Sequence, residues 1–396
     1  MSKEQTSLKA WKEQKIKDIC SFNIGRTPSR SNAIYWEDGF YNWISIKDMA
    51  DTPIIIDTAE KVSQKAFKEC FNGKIVPAGT LLMSFKLTIG RTSFTGVDAF
   101  HNEAIVSIYP DKEKADANYL FYVLPVIDYS KYINPVVKGK TLNKDSIKAV
   151  ELLLPPLSEQ KAIAKALQSV QACIETRKKE FKLEKERKNA LMEHLFTYGI
   201  MGEALKDTEI GKIPESWDVV KLEDIAVFKR GKDLPVQDRK EGTIPVIGSS
   251  GQVGWHNESP TIFPVPGVST GRSGSIGLLT YTPEPYWALN TALYVCDFKG
   301  NNPLFVYYWL HMFDFKKYSQ GVSVPTLNRN LIHPVLFPLP KHDEQLNIAD
   351  VMSKADNKIQ SLEKEIKLYD ELFKAMLDEL MTGKLSALPL IEKENN

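Results

Sequence analysis

The sequence predicts an α+β protein. Two repeated mixed α/β globules are separated by two long helices, which form an antiparallel coiled coil and relate the globules by a pseudo-twofold. Three observations predict this: two heptad seams, an internal repeat over nearly the whole chain, and β-rich runs punctuated by Gly and Pro within each copy.

The first seam lies in 158–198. Ile163, Leu167, Val170, Ile174, Phe181, Leu191 and Leu195 are spaced by threes and fours or their multiples, which puts them on one helix face. The helix is expected to begin after Pro155-Pro156, with Ser158 as N-cap, and to stop near Gly199. Arg177, Glu184 and Lys188 interrupt its apolar face, so the seam is imperfect alone. The second seam, in 342–383, has no gap: Ile348, Met352, Ala355, Ile359, Leu362, Ile366, Tyr369, Phe373, Met376 and Leu380. Asp343 is its expected cap, and Gly383 its end. At ~1.5 Å per residue each helix is roughly 55 Å long, more than a small globule accommodates. The first helix is net basic and the second net acidic, which favours pairing with each other over self-pairing. Two separate amphipathic helices, each packed on its own globule, are the alternative.

The repeat sets the order of domains. Trp11-x-x-x-Lys15-Ile16-x-Asp18-Ile19-x-x-Phe22-x-x-Gly25 returns as Trp217-x-x-x-Lys221-Leu222-x-Asp224-Ile225-x-x-Phe228-x-x-Gly231. Ile89-Gly90 returns as Ile276-Gly277, Asn102-x-Ala104 as Asn290-x-Ala292, and Thr141-Leu142-Asn143 as Thr326-Leu327-Asn328. Glu159-Gln160 and Glu344-Gln345 head the two helices. The expected division is therefore a globule at 1–157, a helix at 158–198, a linker at 199–216, a globule at 217–341, a helix at 342–383 and a tail at 384–396. Strands are expected around Ile54–Ile56, Thr80–Ser84 and Ile105–Tyr109, and around Thr243–Ile247 and Ala292–Cys296. One short helix per globule is expected, at Ala117–Ile127 and Pro303–Phe313.

Composition excludes several classes. With 43% hydrophobic and 26% charged residues, the chain has the make-up of a soluble globular protein. No run reaches the ~18 apolar residues of a membrane span, and the first residues hold no apolar signal core, so a cytoplasmic protein is expected. The four cysteines form no CxxC pair, and the six histidines lack metal-ligand spacing. A net charge of +1 argues against a purely electrostatic nucleic-acid binder. Catalytic motifs are near misses. Leu154-Pro155-Pro156-Leu157 lacks the Asn or Asp and the aromatic of an amino-methyltransferase motif. Gly139-Lys140-Thr141 lacks the first Gly of a phosphate loop. Asp111, Glu113 and Lys114 crowd one turn and read as solvated. No catalytic residue, metal site or cofactor is expected in this chain.

Candidate binding segments do stand out. Ser84–Thr92, with Lys86 and Arg91, and Ser269–Gly277, with Arg272 and Ser273, are Gly-containing basic loops. Gly lets backbone approach a ligand, Ser and Thr can hold phosphates, and Arg can fork onto guanine or phosphate. Gly248–His256, with Ser250 and Gln252, reads as a further loop, and Trp43–Asp48, with Lys47, takes its place in the first copy. Lys138, Lys140, Asn143 and Lys144, and Ser323, Asn328 and Arg329, lie just before the long helices. There Asn could pair with adenine. Tight turns and solvated loops are the structural alternative for all of them.

At this point the chain resembles the specificity (S) subunits of Type I restriction–modification systems. Asp207-Thr208-Glu209-Ile210-Gly211-Lys212-Ile213-Pro214-Glu215-Ser216-Trp217 is similar to that family's "TEIG-IP-GW" start of the second half, with Ser216 where Gly is usual. Leu154–Gln160 is similar to its "LPPL-EQ" helix start, and Leu339–Gln345 is a looser copy with Lys341-His342. Ile244–Gly248 and Gly271–Gly277 resemble recurrent motifs of target recognition domains. The resemblance implies that each globule is a target recognition domain reading one half of a split site in double-stranded DNA. It implies that the helices set the spacer and dock two methylation (M) subunits, with restriction (R) subunits further out. S-adenosylmethionine, ATP and Mg²⁺ would reside on those partners. A coiled-coil scaffold whose globules bind proteins is the competing reading. An RNA binder, stacking bases on Trp255, Trp287 or Tyr281, is a third.

Overall fold

A computed structural model describes residues 10–50, 52–133, 141–321 and 325–394. The chain divides into two compact units. One comprises residues up to Thr176 together with those from Ile366 onward, and the other runs from Arg177 to Glu365.

The first unit carries ten strands: β1 (Lys12–Lys15), β2 (Cys20–Ile24), β3 (Tyr41–Ile44), β4 (Ile54–Ile55), β5 (Glu60–Val62), β6 (Leu81–Ser84), β7 (Thr92–Thr95), β8 (Ala99–His101), β9 (Ile105–Pro110) and β10 (Glu151–Leu154). They form a five-stranded sheet in the order β2-β9-β6-β7-β4, a three-stranded sheet β5-β3-β8, and the pair β1-β10. Most strands follow β-branched and aromatic runs, whereas β1 (Lys-Glu-Gln-Lys) is held by its pairing with β10. Leu81, Met83, Val106 and Ile108 alternate inward onto Tyr119, Leu120 and Val123 of the short helix Ala117–Val123.

The second unit carries β11 (Leu205–Thr208), β12 (Gly211–Pro214), β13 (Asp218–Lys221), β14 (Val227–Arg230), β15 (Ile244–Gly248), β16 (Gly251–His256), β17 (Gly267–Gly271), β18 (Leu279–Thr282), β19 (Trp287–Ala288), β20 (Ala292–Asp297), β21 (Ser319–Gln320), β22 (Thr326–Leu327) and β23 (Leu336–Leu339). Its sheets are β14-β20-β17-β18, β16-β15-β19 and the pair β13-β23. These repeat the first unit's sheets without a counterpart of β4, and the second unit adds two further pairs, β11-β12 and β21-β22. In both units the three-stranded sheet holds one parallel pair, β3 with β8 and β15 with β19. Its core is built on Phe228, Val268, Leu293 and Val295 of the sheet against Phe305 and Trp309 of the helix Pro303–Leu310.

The repeated residues prove to be structural. Trp11 and Trp217 are buried, and each indole N–H donates to a buried glutamate at a helix head: Trp11 to Glu159 (3.0 Å) and Trp217 to Glu344 (2.8 Å). The neighbouring glutamines ties the same junctions. Gln160 donates to the carbonyls of Lys114 and Pro155 and accepts from the amide of Asp116. Gln345 donates to Asn301 and the Pro340 carbonyl and accepts from the amide of Asn302. Gly25 and Gly231 recur because backbone passes within reach of their α-carbons. A Cβ there would lie 2.0 Å from the His101 carbonyl oxygen and 2.2 Å from that of Leu289.

The first long helix spans Leu157–Tyr198 and the second His342–Met381. Both begin two residues earlier than caps at Ser158 and Asp343 would start them. The carbonyls of Pro156 and Lys341 accept the first helical amides, so Ser158 and Asp343 lie in the first turns instead of capping them. Along the first helix Ile163, Leu167, Ile174 and Leu195 are buried, and Val170, Phe181 and Leu191 half-buried. Along the second, Ile348, Met352, Ala355, Leu362 and Leu380 are buried, and Ile359, Ile366, Tyr369, Phe373 and Met376 half-buried. In the first unit Ile163 and Leu167 share a core with Leu380 and Met381. In the second, the charges that interrupt the first seam find partners. Arg177 pairs with Glu365 (3.4 Å), and Lys188 with Asp356, which also accepts from the Tyr308 hydroxyl (2.7 Å). Among the described residues, no helix is long and apolar enough to cross a membrane.

Candidate nucleic-acid interface

The two basic loops share one hydrogen-bond frame. In the first unit the Ser84 amide donates to the Arg91 carbonyl (2.8 Å), the Leu142 amide to the Phe85 carbonyl (2.9 Å), and Lys86 bridges Thr141. In the second, the Gly271 amide donates to the Leu278 carbonyl (3.2 Å), the Leu327 amide to the Arg272 carbonyl (2.7 Å), and Ser273 bridges Thr326. Gly90 and Gly277 close the loops at φ +85° and +83°. Equivalence therefore runs Phe85–Arg272, Lys86–Ser273 and Arg91–Leu278. The loops recur, but the two arginines do not: Arg272 opens its loop and Arg91 ends the other.

Arg272 faces a cleft of about 560 Å³ lined by Lys229, Arg230, Leu293, Gln320, Thr326, Leu327, Asn328 and Arg329. Four cationic side chains thus meet on one concave surface. The Arg230 guanidinium donates to the Asn290 carbonyl (3.1 Å) and that of Arg329 to the Phe228 carbonyl (3.2 Å), which fixes their aim. Among the described residues, no side-chain hydrogen bond or ion pair engages Lys229 or Arg272. A row of cations with hydroxyl and amide groups between them can hold phosphates and read base edges.

Lys229 and Arg230 were not singled out by sequence. Their signal lies inside the repeated Phe-x-x-Gly: the flanks recur while the middle changes from Asn23-Ile24 to Lys229-Arg230. Both pairs lie on the edge strands β2 and β14. The charges are thus placed differently: the first unit has Asn23, Ile24 and Phe85 in place of Lys229, Arg230 and Arg272, but Lys86 and Arg91 in place of Ser273 and Leu278.

The other candidates fall as follows. Asn143 and Asn328 cap the short helices Lys144–Ala149 and Arg329–Ile332, accepting from the amides of Ser146 (2.7 Å) and Asn330 (3.0 Å). Their carbonyl oxygens thus already serve the fold, a task that sequence reading missed. Lys144 is exposed beside Asn143. Gly248–His256 is not a loop. It is the hairpin β15–β16, because Gly251 at φ +88° turns the chain after Ser249-Ser250 and lets Gln252 pair with Ile247. Ser250 sits exposed at that turn and Gln252 on the outer strand, while Lys47 is exposed on a turn after β3. Trp255 is 54% exposed, whereas Trp287 and Tyr281 are half-buried. Lys138, Lys140 and Ser323 lie outside the described residues.

Burial lowers the His101 imidazole to about 4, while its Nε2 meets the Ser107 hydroxyl at 2.5 Å. Asp111, Glu113 and Lys114 form the turn that their crowding suggests, closed by an Asp111–Lys114 ion pair (3.2 Å). Among the described residues, no group of three or more His, Cys, Asp and Glu could hold a metal ion.

Comparison with known proteins supplies the family context. The family model described as Type I restriction modification DNA specificity domain matches residues 9–185 and 214–368. The MjaIX specificity subunit of a type I restriction enzyme from Methanocaldococcus jannaschii is 26% identical over 415 residues, covering 95% of this chain and 94% of that one. The MjaVIII specificity subunit from the same organism is 25% identical over 406 residues, covering 95% and 93%. In fold the chain is similar to the crystal structure of the Type I restriction–modification S subunit from M. genitalium. The TM-score is 0.62 at 16% identity, covering 93% of this chain and 96% of that one.

Proposed function

The chain belongs to the Type I restriction–modification DNA specificity family, whose members are non-catalytic recognition subunits, and on that premise we propose that it reads a bipartite DNA target, one half-site per globule. One observation carries the reading. Two units share sheet topology, helix-head clasps and loop frame, yet the side chains around that frame differ in chemistry. A common frame with divergent lining suits two readers of different sequences. A protein-binding scaffold has no need of four cations converging on one cleft.

The domain reading proposed is 1–157 and 217–341 for the two target recognition domains, with 158–198 and 342–383 as conserved helices, 199–216 as linker and 384–396 as tail. The helices are proposed to pair as an antiparallel coiled coil that gives the globules a pseudo-twofold and sets the spacer. The Arg177–Glu365 and Lys188–Asp356 pairs support the antiparallel sense, since one number rises as the other falls. The same helices are proposed to dock two methylation subunits. Leu183, Leu368 and Leu372 remain 62%, 64% and 45% exposed on them, apolar area that a partner would cover. Restriction subunits would join that complex in the cytoplasm. S-adenosylmethionine would be held by the methylation subunits, and ATP with Mg²⁺ by the restriction subunits.

The test is domain exchange. Residues of about 15–150 are replaced by the matching domain of another S subunit, and the methylome of a strain expressing the hybrid with its methylation subunit is sequenced. One half of the methylated motif should change and the other stay. A change in both halves together would reject the division.

A further inference from the structure

Leu87 sits where the two loop frames align it with Gly274. Both adopt the left-handed region, at φ +64° and +79°. Glycine enters that region without steric cost. A Cβ on a leucine there crowds the following carbonyl. Space alone does not demand glycine in the second unit, because a Cβ at Gly274 would meet only the Ser249 hydroxyl, at 3.9 Å. Burial does not repay the leucine in the first, because Leu87 is 76% exposed. A large apolar side chain thus occupies a strained and solvated position, where folding would favour Gly or Asn.

The loop around it is bonded to itself and to the core. Phe85 is buried, the Ser84 hydroxyl donates to the Thr88 carbonyl, and the Thr88 amide donates to the Lys86 carbonyl (2.8 Å). Lys86 and Arg91 flank the leucine along the chain. An isolated apolar tip between cations suits a polyanion with apolar surface inside its grooves. Duplex DNA presents thymine methyls in the major groove and base steps that an apolar wedge can enter.

We propose that Leu87 is an apolar base contact of the first globule, a specificity-determining residue with no equivalent at Gly274. This rests on the DNA-specificity reading above. Its experiment uses the full-length chain with its methylation subunit. The motif is first mapped by methylome sequencing, and a duplex carrying it becomes the binding probe. Leu87→Asn and Leu87→Gly both suit the backbone and remove the apolar group, and Leu87→Met keeps it.

Leu87→Asn and Leu87→Gly should melt at or above the wild-type temperature. They should nonetheless bind the probe about five- to a hundredfold more weakly and relax one position in one half of the motif, while Leu87→Met retains both. Replacing thymine by uracil in that half-site, with loss of wild-type affinity, would assign the contact to a methyl group. A DNA bend lost in Leu87→Asn would assign it to a base step. If Leu87→Asn and Leu87→Gly keep the wild-type affinity and motif, the proposal is overturned. If the wild-type chain yields no motif, the specificity reading fails and takes the proposal with it.

Discussion

Removing the Arg272 guanidinium should relax one position of the second half-site. Its backbone is held on both sides, by the Arg272 amide on the Thr291 carbonyl (2.9 Å) and the Leu327 amide on the Arg272 carbonyl (2.7 Å). A cation so anchored, half-buried in a cleft, suits the fork geometry of guanine recognition. Lys229, exposed on edge strand β14, suits a phosphate. Each phosphate contact contributes about −0.9 to the slope of log affinity against log salt. Over a fourfold rise, from about 50 to about 200 mM, that is a loss of roughly threefold per contact. Lys229→Ala should therefore flatten the slope by about 0.9 and leave the motif intact. Arg272→Ala should cost about 1–3 kcal/mol on the cognate duplex and less on a duplex altered at the one position it reads. Titrations of both variants at several salt concentrations, beside methylome maps, separate the two roles. Unchanged affinity, slope and motif in Arg272→Ala would return this loop to a plain turn.

Other outcomes follow from single contacts. Glu344→Ala strips the Trp217 indole and the Ile200 amide of a shared buried acceptor and should cost about 2–3 kcal/mol in denaturant unfolding; Glu344→Gln, which keeps one carboxamide oxygen, should cost less. His101 is lowered in the fold to about 4, so below its ordinary pKa of 6.5 the unfolded chain takes a proton that the folded chain refuses. Stability should hold above pH ~6.5 and fall by roughly 3 kcal/mol on going down to pH ~4, a dependence that His101→Gln should remove. Gly274→Leu should destabilise by about 1–2 kcal/mol, the cost of a left-handed leucine, measured by thermal melting. One heptad added to both long helices should lengthen the spacer of the methylated motif by about three base pairs, since ~10 Å of helix matches about that much duplex; an active variant with its old spacer would mean that something else sets the distance.

What could be read from sequence was what folding needs twice. Trp11 and Trp217, Glu159 and Glu344, Gly25 and Gly231 recur because each solves the same local problem: an indole donor to satisfy, or backbone too close for a Cβ. Heptad positions were legible for the same reason, since burial every three to four residues leaves a periodic trace. The helix starts were misjudged because Pro156 and Lys341 carbonyls begin the ladder before the expected caps, and no composition rule marks that. Gly248–His256 reads as a loop because its three glycines outnumber its two β-formers, Val253 and Trp255; Gly251 provides the turn, and strand pairing holds the rest. The cleft was only half visible. Arg272 and Arg329 stood out in their loops, whereas Lys229 and Arg230 lie on a strand whose neighbours recur for unrelated structural reasons.

That contrast separates constraint from information. A residue that caps, clasps or avoids a clash is fixed by geometry, so the same chemistry recurs in both copies, as with the helix caps Asp116 and Asn302. A residue that reads a ligand is free of that geometry and differs wherever the ligands differ. Phe22 and Gly25 match Phe228 and Gly231, yet between them Asn23-Ile24 faces Lys229-Arg230. Phe85 takes the place of Arg272, and Leu87 that of Gly274, on a shared hydrogen-bond frame. In a chain built by repetition, the positions that depart from the repeat while the backbone keeps its course are the ones to mutate first. By that criterion, residues 23, 24 and 87 are the ones to vary in the first globule, and residues 229, 230 and 272 in the second.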